Sequence, residues 1–399
     1  MKNRGQASSL LHAGSAIKKL QHHDFYLICL TLFLIGLGLI MVASASVTVA
    51  DRNFLDPLHY FWRQGIAATL GLTISVVVIK MPLAIWQQLS VPLLLLGLLL
   101  LILVLIPGVG REVNGSMRWI SIGPLNMQSS EPLKICVIIY LAGYLVRHRE
   151  KVMGSFSGFI TPVGVVTIVA GLLLLEPDYG SAVVLFATAL GMLFMGGVPL
   201  SRFFAWMCVA ISVLMSLAIL SPYRLQRLTS FIDPWQDPFN SGYQLTHALI
   251  AFGRGDWLGV GLGNSVQKLF YLPEAHTDFV FAVFAEEFGL LGTVLLILTF
   301  LFLVWRAFVI AKLAEQRGKD FAAYVAYGVG TLIGLQAFIN IGVNMGVLPT
   351  KGLTLPLISY GGNSLVVSCV LIALLVRVEL ENHQVLKNEI PSVSTVYVA

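Results

Sequence analysis

The stretch LPEAHTDFVFAVFAEEFG, Leu272 to Gly289, places Asp278 at the head of an apolar segment and Glu286 and Glu287 inside it. The residues that follow stay apolar as far as Trp305. A run of this kind is long enough to cross a bilayer, whose hydrocarbon core of ~30 Å takes about 20 helical residues. Ionisable groups at membrane depth are costly and as a rule serve chemistry or transport. On a helix Asp278, Ala282 and Glu286 share roughly one face. Asp278 and Glu286 therefore mark a polar stripe: a cavity wall, a metal site or a proton path. Glu286 reads equally as the partner of a base on another helix, and Glu287 reads so by preference.

Outward from that segment the chain remains apolar. Of its 399 residues 57% are hydrophobic and 11% charged, whereas a soluble domain carries about 25% charged residues. Mean hydropathy is +0.84, so the solvent is lipid. The net charge of +5 comes from bases scattered among connections, which argues against a nucleic-acid-binding face. Cys29, Cys136, Cys208 and Cys369 lie in apolar runs with no C-x-x-C pair, so neither a disulfide framework nor a zinc site is expected. There is no G-x-x-x-x-G-K-[ST], no H-E-x-x-H and no G-x-S-x-G. The Gly-rich GRGDWLGVGLGNS, 253–265, follows no strand of a βαβ unit, which removes a dinucleotide reading. The first apolar run is long, follows a polar tail and lacks a small-residue cleavage site, so it is expected to stay as a span.

The pattern predicts an all-α polytopic membrane protein with about ten spans, at about 25–47, 63–80, 88–107, 131–146, 158–175, 180–197, 202–221, 280–305, 323–347 and 362–378. Residues 1–24 form a cytoplasmic tail, 25–378 the membrane domain and 379–399 a second cytoplasmic tail. An even number of spans puts both termini on one side. Lys18, Lys19, Lys80, Arg147, Arg149, Lys151, Arg202, Arg306, Lys312, Arg317 and Arg377 then face the cytoplasm, as the positive-inside rule requires. The longest connection, 222–279, falls outside between the seventh and eighth spans. Its aromatics, among them Tyr223, Trp235, Phe239, Tyr243 and Trp257, suit a segment folded onto the membrane surface.

The ionisable residues concentrate on the outer side. Asp278 suits a general base raised toward a useful pKa by partial burial, and equally a helix cap, a role Thr277 also suits. His276 reads as a loop hydrogen-bonding residue. Glu131 and Lys134, spaced i, i+3, share a helix face and pair, or Lys134 presents its ammonium to a phosphate. Arg111 and Arg118 precede them as an anion cradle or as contacts to lipid headgroups. Arg63, in YFWRQG, is a snorkelling anchor or a phosphate ligand. Asp178, after Pro177 in EPDYG, caps the next helix or faces the site. In LPTKGLTLPLISYGGNS, 348–364, prolines and glycines break the helix at membrane depth, which is tolerated only under protein cover or beside a wet cavity. Freed amides there, with Lys351, Ser359 and Tyr360, are candidates to face a polar substrate.

Taken together, SSEPLK (129–134), EPDYG (176–180), PWQDPFNSGYQ (234–244), GRGDWLGVGLGNSVQKLFYLPEAHTDFVFAVFAEEFG (253–289) and LPTKGLTLPLISYGG (348–362) resemble the SEDS family of shape, elongation, division and sporulation proteins. The resemblance runs through nearly all of the chain after residue 24 and is nearest to the family's cell-division branch in Gram-negative bacteria. It implies a peptidoglycan glycosyltransferase that polymerises lipid II at the outer face of the inner membrane, enriched at the division septum. It implies that Asp278 is the essential carboxylate, taking the proton of an acceptor 4-hydroxyl. Arg63, Arg111, Arg118, Lys134 (with Glu131) and Lys351 are then candidates to stabilise the departing pyrophosphate, with Asp178 and Ser359 as further substrate contacts. A divalent cation, Mg or Mn, fits the chemistry of a pyrophosphate, but no dedicated cage is legible. The implied partners are the class B penicillin-binding transpeptidase FtsI and the division proteins FtsQ, FtsL and FtsB. Other classes that fit ten spans with interrupted helices are a flippase or transporter of lipid-linked precursors and a non-catalytic division scaffold.

Overall fold

Runs of leucine, valine, isoleucine and phenylalanine with no water to compete for their backbone have one economical conformation, the helix, which pairs its own amides and carbonyls. A computed structural model describes residues 3–113, 116–122, 125–219, 231–349 and 352–389. Its helices are α1 (Asn3–Phe54), α2 (His59–Lys80), α3 (Leu83–Gln88), α4 (Ser90–Leu105), α5 (Ser130–Arg147), α6 (Arg149–Gly154), α7 (Phe156–Leu175), α8 (Tyr179–Met195), α9 (Leu200–Ile219), α10 (Tyr243–Gly255), α11 (Val280–Gln316), α12 (Asp320–Asn344) and α13 (Gly362–Glu389). Among the described residues, six helices are long and apolar enough to cross a membrane: those at Phe25–Phe54, His59–Lys80, Phe156–Leu175, Val280–Gln316, Asp320–Asn344 and Gly362–His383. Shorter apolar helices lie at Ser90–Leu105, Tyr179–Met195 and Leu200–Val209. The protein is a polytopic helical membrane protein.

The core has two parts. One surrounds α5, whose Leu133, Val137, Ile138, Leu141 and Leu145 are buried between α4, α7, α8, α12 and α13. A helix buried on all sides reads as apolar all round, and α5 fits that description apart from Glu131 and Lys134. The other part sits at the Asp278 end, where Leu34, Met41, Ala248, Ala251, Phe281, Phe284, Leu355 and Ile358 meet. At the opposite end α13 is latched to α11 by Glu379 with Arg306 and to α3 by Glu381, which accepts from the Leu83 amide at 2.8 Å and pairs within its own helix with Arg377 at 2.8 Å.

Two features differ from the sequence reading. The connection before α5, expected as a loop, holds a three-stranded antiparallel sheet: β1 (Gly110–Val113), β2 (Ser116–Ile122) and β3 (Leu125–Gln128). Arg111 pairs with Trp119, and Trp119 with Gln128. The Asn114–Gly115 dipeptide between β1 and β2 is the hairpin signal that announces it.

The second concerns the 222–279 connection, whose residues 222–230, Tyr223 included, lie outside the described residues. From Tyr243 the chain is built into the bundle. Helix α10 packs along α11 with Leu245, Ala248 and Ala251 buried, and the glycine-rich run then splices into a break in α11. Gly289 leaves the helical conformation there, at φ 67° and ψ −166°. The carbonyls of Glu286 and Glu287, freed by the break, accept from Val260 N (3.0 Å) and Gly261 N (3.1 Å). The freed amides of Leu290 and Leu291 donate to Asp256 O (2.8 Å) and Trp257 O (3.2 Å). Every orphaned backbone group in a lipid-facing bundle costs several kcal/mol, so this exchange is what allows the helix to break. It needs backbone against backbone. A Cβ on Gly259, which sits at φ +79°, would fall 2.2 Å from the Glu287 oxygen. Gly259→Ala should therefore cost about 3 kcal/mol or more from steric overlap and left-handed strain. Thermal unfolding of the detergent-purified variant measures it, and a midpoint equal to wild type would show that the splice is dispensable.

Candidate functional site

Asp278 lies two residues before α11 and is half-buried. Its main-chain carbonyl is gripped from α12: Asn340 Nδ2 donates at 2.8 Å and Asn344 Nδ2 at 2.9 Å. Asn344 Oδ1 accepts from Ala282 N at 3.1 Å, so the start of α11 is capped from across the bundle. The N-cap residue Phe279 makes no side-chain cap. Thr277 turns its hydroxyl back to Glu274, at 2.6 Å from Oε2. The Asp278 carboxylate lies against the 352–361 segment, where a Cβ on Gly352 would sit 3.1 Å from Oδ2.

Three stretches far apart in sequence meet here. The His276 carbonyl accepts from Tyr360 N at 2.9 Å. The His276 ring stands between Tyr60 (4.6 Å between centroids) and Tyr360 (5.5 Å), and the two tyrosine rings meet edge to face at 4.9 Å. Burial holds this imidazole below its ordinary pKa, hence neutral. Gln64, one turn into α2, donates to Ser359 O (3.0 Å) and accepts from Gly361 N (3.2 Å). Arg63 is exposed beside the Tyr360 hydroxyl. Burial pushes that phenol up and the guanidinium pulls it part of the way back. Next to Arg63, the face of α2 bearing Phe61, Trp62, Gly65, Ile66, Thr69 and Leu70 opens into an apolar groove of about 570 Å³.

Other residues singled out from the sequence hold structure together. Ser359 is buried, and its hydroxyl accepts from Leu355 N at 2.8 Å, closing a turn. Lys351 lies outside the described residues. Arg111 is exposed on β1. Arg118 wraps the turn between α7 and α8: it donates to Glu176 O (3.2 Å) and Pro177 O (2.5 Å) and approaches Asp178 Oδ1 at 4.0 Å. Asp178 caps α8 through Ser181 N (3.2 Å) and accepts from Ser130 Oγ (2.9 Å), which fastens that turn to the start of α5. Glu131 and Lys134 form a buried pair at 2.8 Å. Glu286, read as a cavity wall or as the partner of a base on another helix, is a fully buried anchor. It accepts from the Ser265 hydroxyl, Val266 N (3.1 Å) and Gln267 N (3.3 Å), with Arg254 at 3.5 Å. Glu287 pairs with Lys268 at 2.8 Å, a loop lysine rather than one on another helix, and accepts from Ser44 at 2.7 Å. The two glutamates thus hold the returning loop, 265–268, to α11. Among the described residues no group of three or more His, Cys, Asp or Glu is placed to hold a metal ion.

The second polar cluster contains a group the sequence reading passed over. Glu176 is buried between α7 and α8, with Oε2 accepting from Ser129 at 3.1 Å and Oε1 without a partner among the described residues. Burial pushes its carboxyl from 4.5 up to about 8. Between those values the native state keeps a proton that the unfolded chain has lost. Stability therefore falls as pH rises across that window and levels off above it. Glu176→Gln removes the titration, and its melting temperature should decline less than that of wild type between about pH 5 and 8. Parallel curves would mean that Glu176 titrates as an ordinary carboxylate.

A helical membrane bundle with one carboxylate held at a helix start, roofed by a broken segment and flanked by an apolar groove, defines a membrane-embedded protein with a polar site at one end. The family model described as "Cell cycle protein", covering FtsW, RodA and SpoVE, matches residues 25–384, and the chain belongs to that family, as its motifs led one to expect. It is 58% identical over 358 residues to the "Probable peptidoglycan glycosyltransferase FtsW" of Nitrosococcus halophilus, covering 90% of this chain and 92% of that protein. The FtsW of Coxiella burnetii is 53% identical over 359 residues, covering 90% of this chain and 96% of that one. Among solved structures, a chain of a peptidoglycan synthase complex studied for its coordination of polymerization and crosslinking matches with a TM-score of 0.74 and 29% identity, over 90% of this chain and 98% of that one. The rod shape determining protein RodA of Thermus thermophilus matches with a TM-score of 0.67 and 28% identity, over 90% and 97%.

Proposed function

We infer that this protein is a peptidoglycan glycosyltransferase that polymerises lipid II into β-1,4 glycan strands for septal wall synthesis in dividing cells. The observation that carries the reading onto residues is the placement of Asp278, whose backbone is fastened by two asparagines while its carboxylate lies beside Gly352. Asp278 takes the proton of the acceptor 4-hydroxyl. The oxygen attacks the anomeric carbon of the donor, the bond from that carbon to the pyrophosphate oxygen breaks, and undecaprenyl pyrophosphate leaves with inversion. Negative charge grows on the pyrophosphate as it departs, and fixed cations that meet that charge lower the barrier. Arg63 stands where it can do this, with the α2 groove alongside to take the polyprenyl chain. Lys351, next to Gly352 in sequence, is a second candidate. Arg118 and the Glu131–Lys134 pair act one layer back, by fixing the start of α5 and the turn it supports.

The topology that goes with this reading has ten spans, both termini in the cytoplasm and the Asp278 end at the outer face, where lipid II is displayed. Bases along the Lys80, Arg147, Arg202 and Arg306 end support that orientation. The protein works with a transpeptidase, a pairing supported by its likeness to a chain of a synthase complex. In the division apparatus that partner is FtsI, with FtsQ, FtsL and FtsB nearby. Purified protein with its transpeptidase, given lipid II, should yield glycan chains resolvable on a gel. No chains from a folded, partnered preparation would shift the reading to a lipid transporter or a scaffold.

A further inference from the structure

The catalytic assignment leaves two buried polar side chains on α12 without a role. Asn340 and Asn344 lie one turn apart in FINIGVN and point inward, on the face opposite the exposed Phe338. A buried amide in a helix bundle is retained only if its hydrogen-bonding groups are met, and these two meet theirs at the site. Both Nδ2 groups converge on one atom, the Asp278 carbonyl. Asn340 also donates to Leu353 O at 2.6 Å, next to Gly352. Asn344 accepts from Ala282 N in the first turn of α11. The two amides thus bind three things together: the residue bearing the base, the helix behind it and the segment facing its carboxylate. Leu353 extends the connection, because its side chain packs where a Cβ on Gly180 of α8 would meet it at 2.9 Å.

We propose that Asn340 and Asn344 are positioning residues for the glycosyl transfer, acting through Asp278 by fixing its backbone relative to Gly352. This rests on the reading of Asp278 as the general base. Neither amide touches the reacting atoms. Their effect is on where the carboxylate stands, and a misplacement of about 1 Å costs on the order of 10²-fold in rate. Losing Asn344 removes one of the two donors on the carbonyl and the cap on Ala282. Losing Asn340 frees Leu353 as well and lets the facing segment drift from the base.

The test uses the full-length protein with its transpeptidase and radiolabelled lipid II. Asn344→Ala and Asn340→Ala are assayed alone and in the Asp278→Asn background. Each alone should lower kcat by roughly 10- to 10²-fold, with KM for lipid II within about two-fold of wild type. In the Asp278→Asn background the same changes should cost less than about two-fold, because residues that act as one unit are not additive. Asn344→Asp serves if the alanine variant does not fold. It keeps an acceptor for Ala282 N, removes the donor to Asp278 O and should show the same loss of kcat. Full kcat in folded single variants, or a loss in the Asp278→Asn background equal to that in wild type, overturns the proposal. Wild-type activity in Asp278→Asn itself would instead overturn the base assignment, and the two failures are told apart by that single variant.

Discussion

Asp278→Asn should lower lipid II polymerisation by roughly 10²-fold or more, the loss expected when a general base is removed. The substitution keeps the size and shape of the side chain and leaves untouched the carbonyl that Asn340 and Asn344 hold. The melting temperature should therefore stay close to wild type while the chemistry fails. That contrast is what separates a catalytic carboxylate from a helix cap. The start of α11 already has its cap in Asn344, so an asparagine at 278 removes no helix cap. Gel-resolved glycan and a thermal melt on the same preparation read both quantities. Glycan at the wild-type rate would remove Asp278 as the base, whatever the stability.

The second large effect is on stability. Glu131→Ala strands Lys134, whose ammonium lies 2.8 Å from Glu131 Oε1 and which is 1% exposed at the start of the central helix α5. Breaking one side of a buried pair typically costs 3–5 kcal/mol, because a charge is left without compensation. Replacing both partners with apolar side chains of similar volume is often neutral. Glu131→Ala should lower the melting temperature markedly, and Glu131→Leu with Lys134→Met should restore most of it. The double variant also tests whether Lys134 is needed by a phosphate: recovered stability with recovered polymerisation would confine the pair to architecture. A Glu131→Ala protein as stable as wild type would mean that water reaches the pair.

The site was legible to different depths. The broken 348–364 segment announces itself, since a hydrophobic span has no structural need of two prolines, whereas Asp278 by its spacing reads as a base or a helix cap alike. The structure sets Asp278 against Gly352 from that segment. Arg63 was legible as an outer cation, but nothing in YFWRQG shows that it stands beside Tyr360. Ser359 was a candidate to face a substrate, and Glu286 to line a cavity or pair with a base, because polar side chains in apolar surroundings invite those readings. Each satisfies backbone amides: Ser359 that of Leu355, Glu286 those of Val266 and Gln267. Asn340 and Asn344 drew no notice, although an i, i+4 pair of amides in a span is itself a signal of buried donors in need of acceptors. The glycines of GRGDWLGVGLGNS have a purpose that emerges only beside Gly289.

The amino-acid sequence by itself determined that this protein lives in a membrane, roughly where its helices run, and the family to which it belongs. Those properties follow from hydropathy, which acts residue by residue, and from motifs, which are contiguous. Tertiary structure alone decided which partner each polar group meets and which of them hold the frame. That choice turns on partners tens to hundreds of positions away, as in Asn340 to Asp278, Gln64 to Ser359 and Lys268 to Ser44. In a medium with no water to satisfy a stray donor or acceptor, those partners determine what each polar side chain is for.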